Sequence, residues 1–176
     1  MKEVKENIWK FKNDWKWIVI CTNGSVNDNG ESIMTDNKIS AQVNLIYDID
    51  KELGTLITKK GNKPFVFDEF NIITLPVKDT YDGNINIDLI KANVLKLIQL
   101  TKKMKLKEIY IAQLDIEDKN NWKKVIRPFL KTTLDDKFII VLQQKEKIWI
   151  LILNFKKNSA TIILVNDSIV WDRKRF

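Results

Sequence analysis

The chain has 176 residues and a mass of 20.7 kDa, enough for one domain that buries a core without disulfides or metals. Hydrophobic content of 44% and charged content of 30%, with only 5 Gly and 3 Pro, argue against a disordered or linker-rich chain. A single cysteine and no histidine exclude a disulfide framework and His-dependent triads and argue against zinc, while the formal charge of +7 reads as a merely soluble basic surface before it reads as attraction to phosphate-bearing partners.

Residues Lys2 to Phe11 alternate loosely, with Val4, Ile8, Trp9 and Phe11 apolar among charges, which predicts a half-exposed strand. Asn13-Asp14 then turns into Trp17-Ile18-Val19-Ile20-Cys21, an apolar run too short for a buried helix and closed by Thr22-Asn23-Gly24. Such a run reads as a strand buried on both faces of an α/β sheet. In an open α/β sheet the ligand crevice lies beyond the carboxyl ends of the strands, so Thr22, Asn23 and Gly24 stand where a site would be built.

A polar loop from Ser25 to Glu31 leads to a helix from about Asn37, marked by Ile39, Val43, Ile46 and Tyr47, and helical spacing continues to Lys60-Gly61. Phe65 to Phe67 and Asn71 to Val77 read as two strands joined by a short acidic turn. The longest amphipathic helix follows, from Ile85 to about Lys105, with Asn86 or Asp88 near its start. Glu108 to Gln113 is a short strand, Asp115 to Asn121 a very polar loop, and Trp122 to Leu130 a helix interrupted by Pro128. Phe138 to Leu142 is a further buried strand. From Trp149 onward, apolar runs separated by Lys156-Lys157-Asn158-Ser159 and Asn166-Asp167 predict three hairpin-connected strands. The reading is a single domain over 1–176 with 144–176 a β extension: an α/β fold of three layers, with a mixed central sheet.

With these loops in place, the chain resembles the macro-domain family, most closely the macro-like proteins of bacteria and their phages. The resemblance runs from about Lys2 to Leu142, on Glu6-Asn7-Ile8, Ile18 to Gly24, Gly30 to Gln42, Leu53-Gly54, Lys59 to Asn62, Asn71 to Lys78, Asp88 to Leu100 and Trp122 to Val141. It implies binding of ADP-ribose or a related nucleotide. Asn23 matches the family's strand-end Asn that contacts the distal ribose, and Asn7 stands where the family has an Asp that accepts from the adenine amino group. The implied ligand-binding set is Asn7, Ile8, Thr22, Asn23, Gly24, Met34, Asn37 and Gln113. No catalytic residue, metal or cofactor is implied. Both family glycine loops are degenerate: Thr35-Asp36-Asn37-Lys38 replaces the first and Leu114 to Asn121 the second.

Three functions follow in order: a non-catalytic nucleotide binder that senses or sequesters its ligand, a scaffold turned protein-interaction or inhibitor module, and a hydrolase of ADP-ribose linkages. The lack of a paired nucleophile and base places the enzyme last. Asp115, Glu117 and Asp118 read as a solvated loop before they read as an acid-base or metal cluster, and Trp9, Trp149 and Trp171 as core or sheet residues before stacking platforms. No run reaches the roughly 18 apolar residues of a membrane span and no signal peptide is evident, so a cytoplasmic location is expected, with no membrane partner and at most weak, non-specific nucleic-acid binding. Asn23→Ala is expected to cost ligand affinity and leave stability nearly unchanged.

Overall fold

A computed structural model of the chain describes residues 1–35, 37–114 and 121–142 in full, and the backbone of 151–154, 161–165 and 168–171. The chain opens with strand β1 (Lys2–Lys5) and then helix α1 (Ile8–Asn13), which corrects the single strand expected from Lys2 to Phe11. Asn7 accounts for the difference: its side-chain oxygen accepts from the Trp9 amide at 3.0 Å and caps a helix whose inner face is Ile8, Trp9 and Lys12. Over so short a segment, i, i+1, i+4 burial and strand alternation look alike.

The apolar run forms β2 (Trp17–Thr22), followed by α2 (Lys38–Tyr47), α3 (Asp50–Lys60), β3 (Val66–Phe67) and β4 (Ile72–Pro76). The acidic turn between β3 and β4 is a 3-10 turn at Asp68–Phe70. Next come α4 (Ile87–Lys103), capped by Asn86, and β5 (Ile109–Ala112). A π-helical turn at Trp122–Ile126 leads into α5 (Arg127–Thr133), and β6 is Phe138–Leu142. Pro128 comes directly after that π-helical turn, whose last bond runs from the Arg127 N–H to the Trp122 carbonyl, and its missing N–H interrupts the helical ladder where π gives way to α.

Six strands form one sheet in the order β1-β6-β5-β2-β4-β3, parallel throughout except for β3, which is antiparallel to β4. Successive side chains of β2 enter opposite layers. Ile18 and Ile20 pack with Trp9, Val43, Ile46 and Leu53 of α1 to α3, and Val19 and Cys21 with Ile90, Val94, Leu97 and Leu130 of α4 and α5. The result is the three-layer α/β fold with a mixed sheet. At the carboxyl end of the sequence β7 (Leu151–Asn154), β8 (Thr161–Val165) and β9 (Ser168–Trp171) form a separate antiparallel sheet in that order. Among the described residues no helix is long and apolar enough to cross a membrane.

The edge strand β1 is tied to α5 by a bidentate pair, with Arg127 Nε and Nη2 donating to the Glu3 carboxylate at 2.7 and 2.6 Å. That guanidinium holds the Glu3 carboxyl below its usual range. A depressed carboxylate stabilises the fold above its unfolded pKa, and the contribution is lost as pH falls through the folded value. Glu3→Gln should therefore lower the urea midpoint at pH 7, and the gap from wild type should close below about pH 4.

Candidate functional site

Because β1, β6, β5, β2 and β4 are all parallel, their carboxyl ends share one edge of the sheet. Asn7 follows β1, Gln113 follows β5, and Thr22 to Gly24 close β2, so residues far apart in sequence line up along that edge. Three strand spacings separate β1 from β2, or about 14 Å, a span suited to an extended ligand.

Asn23 is 1% exposed and anchors the loop that follows it. Its Nδ2 donates to the Ile33 carbonyl at 2.8 Å, and its Oδ1 accepts from the Ser25 amide at 2.8 Å. One side chain thus staples both ends of the 24–33 loop. This changes the expectation that Asn23→Ala leaves stability untouched. Gly24 donates its amide to the Asp79 carbonyl at 3.1 Å, and a Cβ there would lie 2.6 Å from that oxygen and 2.8 Å from Asn62 Nδ2. Only glycine lets the two loops cross so closely. The crossing is reinforced by Tyr81, whose amide donates to Ser25 Oγ at 3.0 Å, and by Asn62 Nδ2, which donates to the Lys78 carbonyl at 2.9 Å.

The helices on one face converge on the same edge. Asn37 caps α2 by accepting from the Ile39 and Ser40 amides at 3.0 and 3.1 Å, and Ser40 Oγ donates to the Cys21 carbonyl. Ile8 and Met34 are core residues, 0% and 3% exposed. Trp9 is also core: its indole N–H donates to Gln42 Oε1 at 2.9 Å, so it is no stacking platform. Gln113 is half-buried, its amide donating to Val141 O at 3.0 Å.

Among the described residues, four buried side-chain atoms have no hydrogen-bond partner: Thr22 Oγ1, Ser32 Oγ, Gln42 Nε2 and Asn62 Oδ1. Thr22 closes β2, Asn62 touches the Gly24 crossing, Ser32 lies in the stapled loop, and Gln42 joins α2 to Trp9. Orphaned buried groups are costly, and where several occur near one strand edge a polar ligand is a natural partner. Gln42, Asn62 and Ser32 were absent from the sequence-based set. For Gln42 a signal existed, since it is a polar residue on the face of α2 that also carries Ile39, Val43 and Ile46. Among the described residues no group of three or more Asp, Glu or Cys is placed to hold a metal. Asp36 and the acidic loop with Asp115, Glu117 and Asp118 lie outside the described residues, as do Trp149 and the side chain of Trp171.

No protein-family model matches the sequence, and no curated protein matches it. Solved structures do. The macrodomain of Thermus aquaticus DarG aligns with a TM-score of 0.59 at 13% identity, over 81% of this chain and 97% of that one. The macrodomain of Mycobacterium tuberculosis DarG aligns with a TM-score of 0.60 at 15% identity, over 80% and 95%. Thermosipho africanus DarTG, solved in complex with ADP-ribose, aligns with a TM-score of 0.60 at 15% identity, over 83% of this chain but 42% of that longer one. Likeness at this level of identity speaks for architecture, and the architecture of this chain is that of a macrodomain.

Proposed function

We propose that the protein binds an ADP-ribose-related nucleotide along the carboxyl edge of its sheet and acts without catalysis, sensing or sequestering the ligand. The observation that carries this reading is Thr22 Oγ1, a buried hydroxyl without a partner at the end of the central strand, flanked by Asn23 and Gly24. The fold supports it, since a structural neighbour was solved with ADP-ribose bound. In this reading Thr22 and Gln42 meet the polar groups of the ligand, and Asn7 and Gln113 flank it along the edge. Lys78, half-buried beside the Gly24 crossing, brings positive charge to a phosphate-bearing ligand.

One observation favours a second reading, a protein-interaction module on the same scaffold. The first-turn amides of α2 at Ile39 and Ser40, of the kind that bind phosphate at a helix start, are already taken by Asn37. Thermal shift against ADP-ribose, NAD and cyclic nucleotides separates the two. A ligand held at about 100 times its Kd adds about 2.7 kcal/mol to the folded state, which for a chain of this size raises the Tm by roughly 5–10 °C. We expect that rise with ADP-ribose or NAD; no rise with any adenine nucleotide would favour the interaction module.

A further inference from the structure

Away from the nucleotide edge, the end of α1 holds a lysine that the proposed binding does not use. Lys12 is 5% exposed, and its Nζ lies 5.2 Å from the ring centroids of both Trp15 and Tyr47. No hydrogen bond or ion pair reaches this ammonium among the described residues. The nearby charged side chains are engaged elsewhere or unpaired with it: Lys16 binds Glu108 at 3.0 Å, and Asp14 and Asp48 are exposed at the ends of α1 and α2. Among the described residues the amine faces two aromatic rings, which attract its charged form, but burial acts against the charge and pushes the Lys12 ammonium down toward the neutral, nucleophilic amine.

Its cover is the Trp15 indole. Trp15 is 71% exposed, so little packing holds the ring in place, and its φ of 56° is a left-handed conformation that a bulky side chain rarely adopts. What keeps it there is backbone bonding. The Trp15 amide donates to the Lys12 carbonyl, and Asn71 Nδ2 donates to the Trp15 carbonyl, both at 3.0 Å. The indole therefore covers the amine from an exposed position, with its backbone held at the base.

We propose that Lys12 is an acyl-acceptor site for short-chain thioesters. The neutral Nζ attacks the thioester carbonyl, a C–N bond forms, the C–S bond breaks, and the thiolate leaves and takes up the proton the nitrogen loses. The product is a neutral, planar amide that suits a place between two rings and no longer carries a buried charge.

The test is incubation of the folded protein with acetyl-coenzyme A at neutral pH, with peptide mass spectrometry giving the acetylated fraction at each lysine. Lys12 is expected to be acetylated several-fold more than the exposed Lys59 and Lys60 of α3 in the wild type. In Trp15→Ala, which loses an exposed side chain and should fold, Lys12 should react at least as fast. Acetylation of Lys12 at or below the level of Lys59 and Lys60 in the wild type overturns the proposal, whether or not Trp15→Ala then exposes the amine.

Discussion

Gly54→Ala should cost about 3–4 kcal/mol of stability and lower the Tm by about 10 °C, although alanine is the better helix former. Gly54 lies inside α3, where a Cβ would sit 2.1 Å from the Gly30 carbonyl oxygen and 2.8 Å from the Ser32 amide nitrogen. Both obstacles are backbone, so no rotamer change relieves them. The Ser32 amide also donates to the Asp50 carbonyl at 2.9 Å, at the start of the same helix. The helix and the loop after β2 are therefore packed backbone against backbone, and the added methyl must push the loop away. Thermal melts of the two proteins check this. A Tm unchanged within 2 °C would mean that the loop yields freely and that its position is not fixed by α3.

Asn23→Ala should cost about 2–4 kcal/mol, because the side chain serves as both donor and acceptor in a fully buried place. Its removal leaves the Ile33 carbonyl and the Ser25 amide to find other partners at the two ends of one loop. Asn23→Asp tells the two bonds apart. The aspartate retains an acceptor for the Ser25 amide but turns a repelling oxygen toward the Ile33 carbonyl, so it should also destabilise the fold. Chemical denaturation of the three proteins gives the order: wild type most stable, both variants well below it. If Asn23→Ala unfolds at the wild-type midpoint, the staple contributes nothing and a purely ligand-directed Asn23 regains its place.

The sheet and its layers were legible in the sequence because their signals are redundant. β2 has a β-branched run and a Thr-Asn-Gly stop, and α4 has a long 3.6-residue stripe with Asn86 at its head. The edge that carries Asn7, Thr22, Asn23 and Gln113 was legible for the same reason, since strand ends define it. α1 was not legible, because six residues are fewer than two helical turns and its cap, Asn7, reads equally well as a strand end. Nor was the division of labour among the amides. Asn23 and Asn37 look alike in sequence to ligand-binding groups, yet each is tied to nearby backbone, while the atoms left without partners include a glutamine on α2 and an asparagine after α3. Which polar group is satisfied depends on distances between segments 10 to 60 residues apart, and no local pattern records those. Lys12 escaped notice too, since one lysine among many becomes unusual only when Trp15 and Tyr47 close over it.

Calorimetric titration of ADP-ribose into wild type and Thr22→Val tests the central claim most directly. Valine matches threonine in shape and puts a methyl in place of the hydroxyl, which has no partner among the described residues. The variant should therefore be as stable as the wild type or slightly more so. If the hydroxyl meets the ligand, the substitution removes a hydrogen bond worth about 1 kcal/mol, and the Kd should rise several-fold while the melting temperature of the unliganded protein holds or increases. Equal affinity in the two proteins, or no binding heat from the wild type, would contradict a nucleotide site at the end of β2.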